Sequence, residues 1–154
     1  MGRVLVMSIR PHFAERIFNG EKHAELRRVR PQVDAGDIVI VYASSPTKAL
    51  VGAFVISGVR SMEISNMWTG HGDALGVTRD EYASYFAGAD VAHALLLAER
   101  VRFGDVPLEE MRQRLGLFRP PQSYMFWTEG LDRLLPPAAL TKVRRLRRQL
   151  DVVD

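Results

Sequence analysis

The run IVIVYAS, Ile38–Ser44, constrains this chain more than any other stretch. Five β-branched or aromatic residues in seven, bounded by Gly36-Asp37 and Ser45-Pro46, specify a strand set in a core, since the run is too short for a buried helix. RVLVMSI (Arg3–Ile9) reads as a second short buried strand. ALVGAFVISGVRSME (Ala49–Glu63) reads as a long one, with Gly52 and Gly58 as points of bulging or close backbone approach. HALLLAERVRF (His93–Phe103) continues the series, and RPPQSYMFW carries a rigid turn into an aromatic strand. A chain of 154 residues that is 47% hydrophobic can build one core, and with no cysteine it does so without disulfides.

Helices fill the intervals. Pro11 suits a first helical turn, Phe13, Ile17 and Phe18 give helical spacing, and Gly20 supplies a left-handed stop. Thr78 followed by Glu81 forms a capping box, closed by Gly88. PLEEMRQRLGL puts acids in its first turn and bases in its last, in keeping with the helix dipole. In the tail, Leu140, Val143, Leu146 and Leu150 form one stripe of a helix whose other positions hold Lys142, Arg144, Arg145, Arg147 and Arg148. His71, in WTGHGD, is expected on a surface loop. Strands joined by short connections with few long helical crossovers predict an α+β fold: a small mixed barrel surrounded by short helices, with a basic amphipathic C-terminal helix. The expected organisation is one unit over residues 1–130, with 131–154 as a helical extension packed on it.

The net charge of +3 is unevenly spread. Residues 1–60 hold nine Lys/Arg against five Asp/Glu, residues 61–141 seven against eleven, and the last thirteen five against two. Basic ends around an acidic middle permit a local anion-binding surface. Much charge is packed into NGEKHAELRRVRP, Asn19–Pro31, between a helix and a strand. At strand period Ala24 and Leu26 face a core, which turns Glu25 and Arg27 toward water or a cleft, while Lys22 sits at the bend after Gly20, able to swing to either side. Two readings follow: an edge strand guarded by charges, or a site.

Gly20-x-Lys22-x-x-Glu25-x-Arg27 resembles the G-x-K-x-x-E-x-R signature of the ASCH domain family, in the PUA-like β-barrel superfamily. MSIRPHFAERIFNGEK, with Ser8, Arg10 and Pro11, resembles that family's opening strand and helix. VYASSP with VGAF is similar to its central hairpin, and RPPQSYMFW to its closing segment. The resemblance runs from about Leu5 to Trp127. It implies a PUA-like barrel with a cleft for RNA or a nucleobase-containing ligand, lined by Lys22, Glu25 and Arg27. Arg10, Ser44 and Tyr124 are added as neighbours: a cation, a hydroxyl at the strand end and an aromatic ring able to stack a base. By alternation Tyr124 and Phe126 share a face that Trp127 opposes.

A hydrolase branch of the superfamily removes acyl groups from N4 of cytidine, and ribonuclease activity has also been proposed for the family. The alternative function is therefore a small hydrolase using Lys22 and a carboxylate, Glu25 or one further along such as Glu81 or Glu63. The deacylase branch carries threonine where this chain has Glu25. A third reading is a regulatory domain that takes a small anionic metabolite. No cofactor is expected, and four scattered histidines predict no metal site. The short apolar run at the N-terminus ends at Arg10-Pro11, and no stretch reaches the ~20 apolar residues of a membrane span, so a cytoplasmic protein with no membrane partner is expected.

Overall fold

The computed structural model describes residues 2–151. Six strands, β1 (Val4–Ile9), β2 (Ala24–Arg27), β3 (Ile38–Ala43), β4 (Ala49–Glu63), β5 (Val91–Pro107) and β6 (Tyr124–Phe126), form one mixed sheet in the order β2-β5-β4-β3-β1-β6. The β1–β3 pair is parallel, and the crossover between them carries α1 (Pro11–Phe18) and β2; the remaining pairs are antiparallel.

The centre of the sheet is buried on both faces, which is why β1 and β3 read as continuous apolar runs. Val4, Val6, Ile38, Ile40 and Tyr42 join a core with Phe103, Val106, Leu134, Leu135, Val143 and Leu146. That layer is built from α4 (Leu108–Leu115), α5 (Leu131–Leu134) and α6 (Pro137–Asp151). The alternate residues Leu5, Met7, Ile9, Val39, Val41 and Ala43 pack with Ala14 and Ile17 of α1 on the opposite face. Gly52 lets α1 come this close: a Cβ there would meet the Phe18 ring at 2.5 Å and the Val101 carbonyl oxygen at 2.7 Å. A third cluster joins Ala24 and Leu26 of β2 to Met67 and Leu75 of α2 (Ile64–Leu75), and to Tyr82 and Phe86 of and just after α3 (Arg79–Tyr85).

Two expectations are corrected. The strands do not close into a barrel: β2 and β6 are the edges of an open sheet. Each edge strand is paired on one side only, β2 with β5 and β6 with β1. Arg27 of β2 reaches toward β1 and β6, donating from Nη2 to the Ser8 carbonyl at 3.0 Å and from Nη1 to Ser123 Oγ at 3.4 Å. The WTGHGD segment is helical, so His71 lies on α2 rather than in a loop. Burial of Met67 and Leu75 outweighs the weak helix propensity of Gly70 and Gly72.

Candidate functional site

The cleft has a volume of about 320 Å³. Its floor is the end of β1 (Ser8, Ile9) with Phe13 and Ser44, and Arg10 borders it; one wall is Lys22 and the β2 residues Glu25, Leu26 and Arg27; the other is Val77, Glu81, Tyr82 and Tyr85, with Gln122 at the rim.

Lys22 is 1% exposed, where the sequence placed it at a mobile bend. Its Nζ donates to the Leu75 carbonyl at 2.8 Å, stands 3.9 Å from Glu25 Oε1, and lies 5.4 Å from the Phe13 ring centroid. The carbonyl belongs to the last turn of α2, where the helix dipole favours a cation. Burial nevertheless pushes the Lys22 ammonium below the ordinary lysine value, and Arg16 and Arg27 add to the shift, while Glu25 and Glu81 oppose it.

Glu25 is 6% exposed and held between two cations, its Oε2 3.2 Å from Arg27 Nη2. A buried carboxylate in this position is tolerable because both neighbours are positive. Alternation turned Glu25 and Arg27 away from the Ala24–Leu26 core, toward water or a cleft, and they line the cleft. The Arg27 Nε is buried without a hydrogen-bond partner among the described residues, a donor left over on that wall.

Arg10 stands exposed at the mouth, and Ser44 lines the floor, with its backbone N–H donating to the Ile9 carbonyl at 3.0 Å. Lys22, Glu25, Arg27, Arg10 and Ser44 therefore border one cleft, and Tyr124 does not. Register sets Tyr124 opposite Met7, on the α1 side of the sheet. Its ring packs edge-on to Phe126 at 5.9 Å, and its hydroxyl accepts the Gln32 N–H at 3.1 Å.

The aromatic groups of the cleft are Phe13, Tyr82 and Tyr85, which sequence reasoning did not single out. Tyr85 donates to the Leu26 carbonyl at 3.1 Å, and burial raises its hydroxyl above the ordinary tyrosine value. Glu81 both caps α3 and faces the cleft. It accepts the Thr78 N–H at 2.8 Å and pairs with Arg16 through both oxygens, at 2.8 and 3.1 Å. Those contacts, that of Arg16 first, hold its carboxyl at about 2. Its capping box was the available signal, although it speaks only for the structural half of this role. Glu63 lies away from the cleft, in a shallow depression with Trp68 and Arg79. No group of three or more metal-ligating side chains occurs among the described residues. No helix among them is long and apolar enough to cross a membrane.

Comparison with known proteins places residues 7–100 on the ASCH domain model. A relative from Zymomonas mobilis, named an ASCH domain-containing ribonuclease, is 28% identical over 118 residues, covering 77% of this chain and 80% of that protein. The crystal structure of an ASCH protein from Zymomonas mobilis matches 94% of this chain and 95% of its own, with a TM-score of 0.76 at 25% identity. The large ribosomal subunit protein uL22 of Ureaplasma parvum is 30% identical over 100 residues, 64% of this chain and 32% of that protein.

Proposed function

This chain belongs to the ASCH domain family, and we propose that it binds RNA, or a modified nucleobase or nucleotide, in the Lys22–Glu25–Arg27 cleft. The observation that carries the reading is the convergence of three charged, nearly buried side chains on a cleft that also has aromatic walls. Its volume of about 320 Å³ suits one base splayed from a single strand, the usual mode of sequence-sensitive RNA recognition. Phe13 and Tyr85 offer faces to stack against, Glu25 can accept from an exocyclic amine, and Arg27 and Lys22 donate to ring or carbonyl acceptors. Arg10 at the mouth meets the phosphate that follows. The ribonuclease name of the Zymomonas relative supports an RNA ligand.

A second reading, hydrolysis, is favoured by one observation: the Lys22 amine is sealed from water, and such burial lowers basicity in the direction a lysine base needs. The same geometry weighs against deacylation, because Glu25, 3.9 Å away, favours the protonated amine where that branch has a neutral threonine.

The test is binding of short single-stranded RNA to the whole chain and to Lys22→Ala and Arg27→Ala, followed across a salt series. Wild type is expected to bind with an affinity that falls as salt rises, and each variant to lose about tenfold or more. RNA that binds none of the three proteins, or all three alike, defeats the proposal. RNA recovered shortened, or N4-acetylcytidine turned over by wild type and not by Lys22→Ala, moves the assignment to the hydrolase.

A further inference from the structure

Arg16 lies on α1, outside the cleft, and its contacts surround Lys22. Its carbonyl accepts the backbone N–H of Lys22 at 2.9 Å and that of Glu21 at 3.0 Å. Its guanidinium reaches in the other direction, donating from Nη1 to the Gly76 carbonyl at 3.1 Å and from both terminal nitrogens to Glu81. Gly76 follows Leu75, whose carbonyl receives the Lys22 ammonium. The loop between α2 and α3 is thus fastened to α1 by one side chain, and Lys22 is enclosed in the ring this makes.

The backbone on the far side of that ring has no slack. Gly76 has φ 65°, and a Cβ there would stand 2.5 Å from Lys22 Cβ and 2.6 Å from its Cα. His23 extends the same seam, donating its N–H to the Ala74 carbonyl at 2.8 Å. Among the described contacts the Arg16 guanidinium alone joins the Gly76 carbonyl to α1, and without it Glu81 keeps only the 4.0 Å approach of His12 Nε2 from that helix.

We propose that Arg16 is a positioning residue for the cleft: it holds the α2–α3 loop over Lys22, so that the ammonium stays dry and aimed. The proposal rests on the reading of that cleft as the RNA site only for its effect on binding. The charged groups facing Lys22 are Glu25 and Arg27 from β2, Arg16 from α1 and Glu81 from α3; Arg100 of β5 donates to its backbone carbonyl at 2.7 Å. Removing the Arg16 cation, admitting water and leaving Glu81 unpaired all favour the protonated amine, so every consequence moves Lys22 the same way.

The chain has three lysines, Lys22, Lys48 and Lys142, so lysine-selective NMR can titrate each of them in the intact protein. In Arg16→Gln the Lys22 midpoint is expected to rise toward the ordinary lysine value, with Lys48 and Lys142 unmoved, and single-stranded RNA binding to weaken about tenfold. Arg16→Lys keeps a cation against Glu81 but cannot also hold the Gly76 carbonyl. It is expected to fold and to raise the Lys22 midpoint in the same direction by less, and it decides the matter if Arg16→Gln does not fold. A Lys22 titration like wild type in whichever of the two is folded overturns the positioning role. A Lys22 midpoint that rises while RNA binding is unchanged upholds the positioning role and refutes the RNA site.

Discussion

The β2 wall and helix α6 are the two most charged regions of the molecule, and they hold their charge in opposite ways. Along the β2 wall, Lys22 just before the strand and Glu25 on it are nearly sealed from water and Arg27 is mostly so, each tied to the others or to a carbonyl from a distant element. On α6, Arg144, Arg145 and Arg148 are exposed, while Ala139, Val143 and Leu146 bury the opposite face. Buried charge is worth several kcal/mol in either direction, depending on its partners, and solvated charge is worth little. The first region is therefore built around its ions, and the second is held by its apolar stripe.

The largest test of that contrast is Glu25→Ala, which leaves Lys22 and Arg27 facing each other without their shared anion. It is expected to cost about 3–5 kcal/mol in urea unfolding, the penalty for stranding buried charge. A loss below 1 kcal/mol would mean that the cleft is wet and the ions dispensable. Next come two substitutions of similar size and different origin. Gly76→Ala combines a left-handed backbone with overlap on Lys22 and should lose about 2 kcal/mol along with RNA affinity. Val143→Ala opens a cavity beneath α6 and should also lose about 2 kcal/mol, with affinity unchanged.

A smaller effect is gated by pH. The Glu81 carboxyl is held at about 2, against its ordinary 4.5, so its ionised form stabilises the fold above pH 4.5. That contribution disappears as the pH falls from 4.5 toward 2, while Glu81→Gln has none to lose. The stability gap between wild type and variant should therefore shrink across that window in unfolding titrations, and a constant gap contradicts the Arg16–Glu81 pair. Smallest of all, Arg144→Gln with Arg145→Gln should shift stability by less than about 0.5 kcal/mol, as exposed substitutions do. A larger loss would place those arginines in contacts that the exposed face of α6 does not provide.

Much of the fold was legible because its signals are local. The strand expected over Ala49–Glu63 is β4 with those bounds, and the box from Thr78 to Glu81 caps α3 with both reciprocal hydrogen bonds present. Alternation placed Ala24 and Leu26 in a core and turned Glu25 and Arg27 the other way. The loop expected around His71 is instead part of α2, because packing of Met67 and Leu75 supplies the stability that its glycines withhold. Alternation also put Tyr124 and Phe126 on one face and Trp127 on the other, as they are. It could not tell that the Tyr124 face packs beside Met7 rather than opening into the cleft, which the pairing of β6 with β1 decides.

Sequence by itself determined the central strands, the capped helices, the strand faces and the identity of the charged segment, since periodicity and capping act over a few residues. Whether that segment was an edge in water or the wall of a cleft was decided elsewhere. The carbonyl that receives Lys22 lies 53 residues downstream, and the carboxylate that fastens Arg16 lies 65 away. A strand pattern tells which side chains share a face but not what will cover it. For Lys22 the cover is the end of α2, brought there by the burial of Met67, Leu75 and Tyr82 against β2. Burial then sets the chemistry, because the same ammonium that is inert in water becomes, once dry and beside Glu25, a group whose protonation its neighbours control.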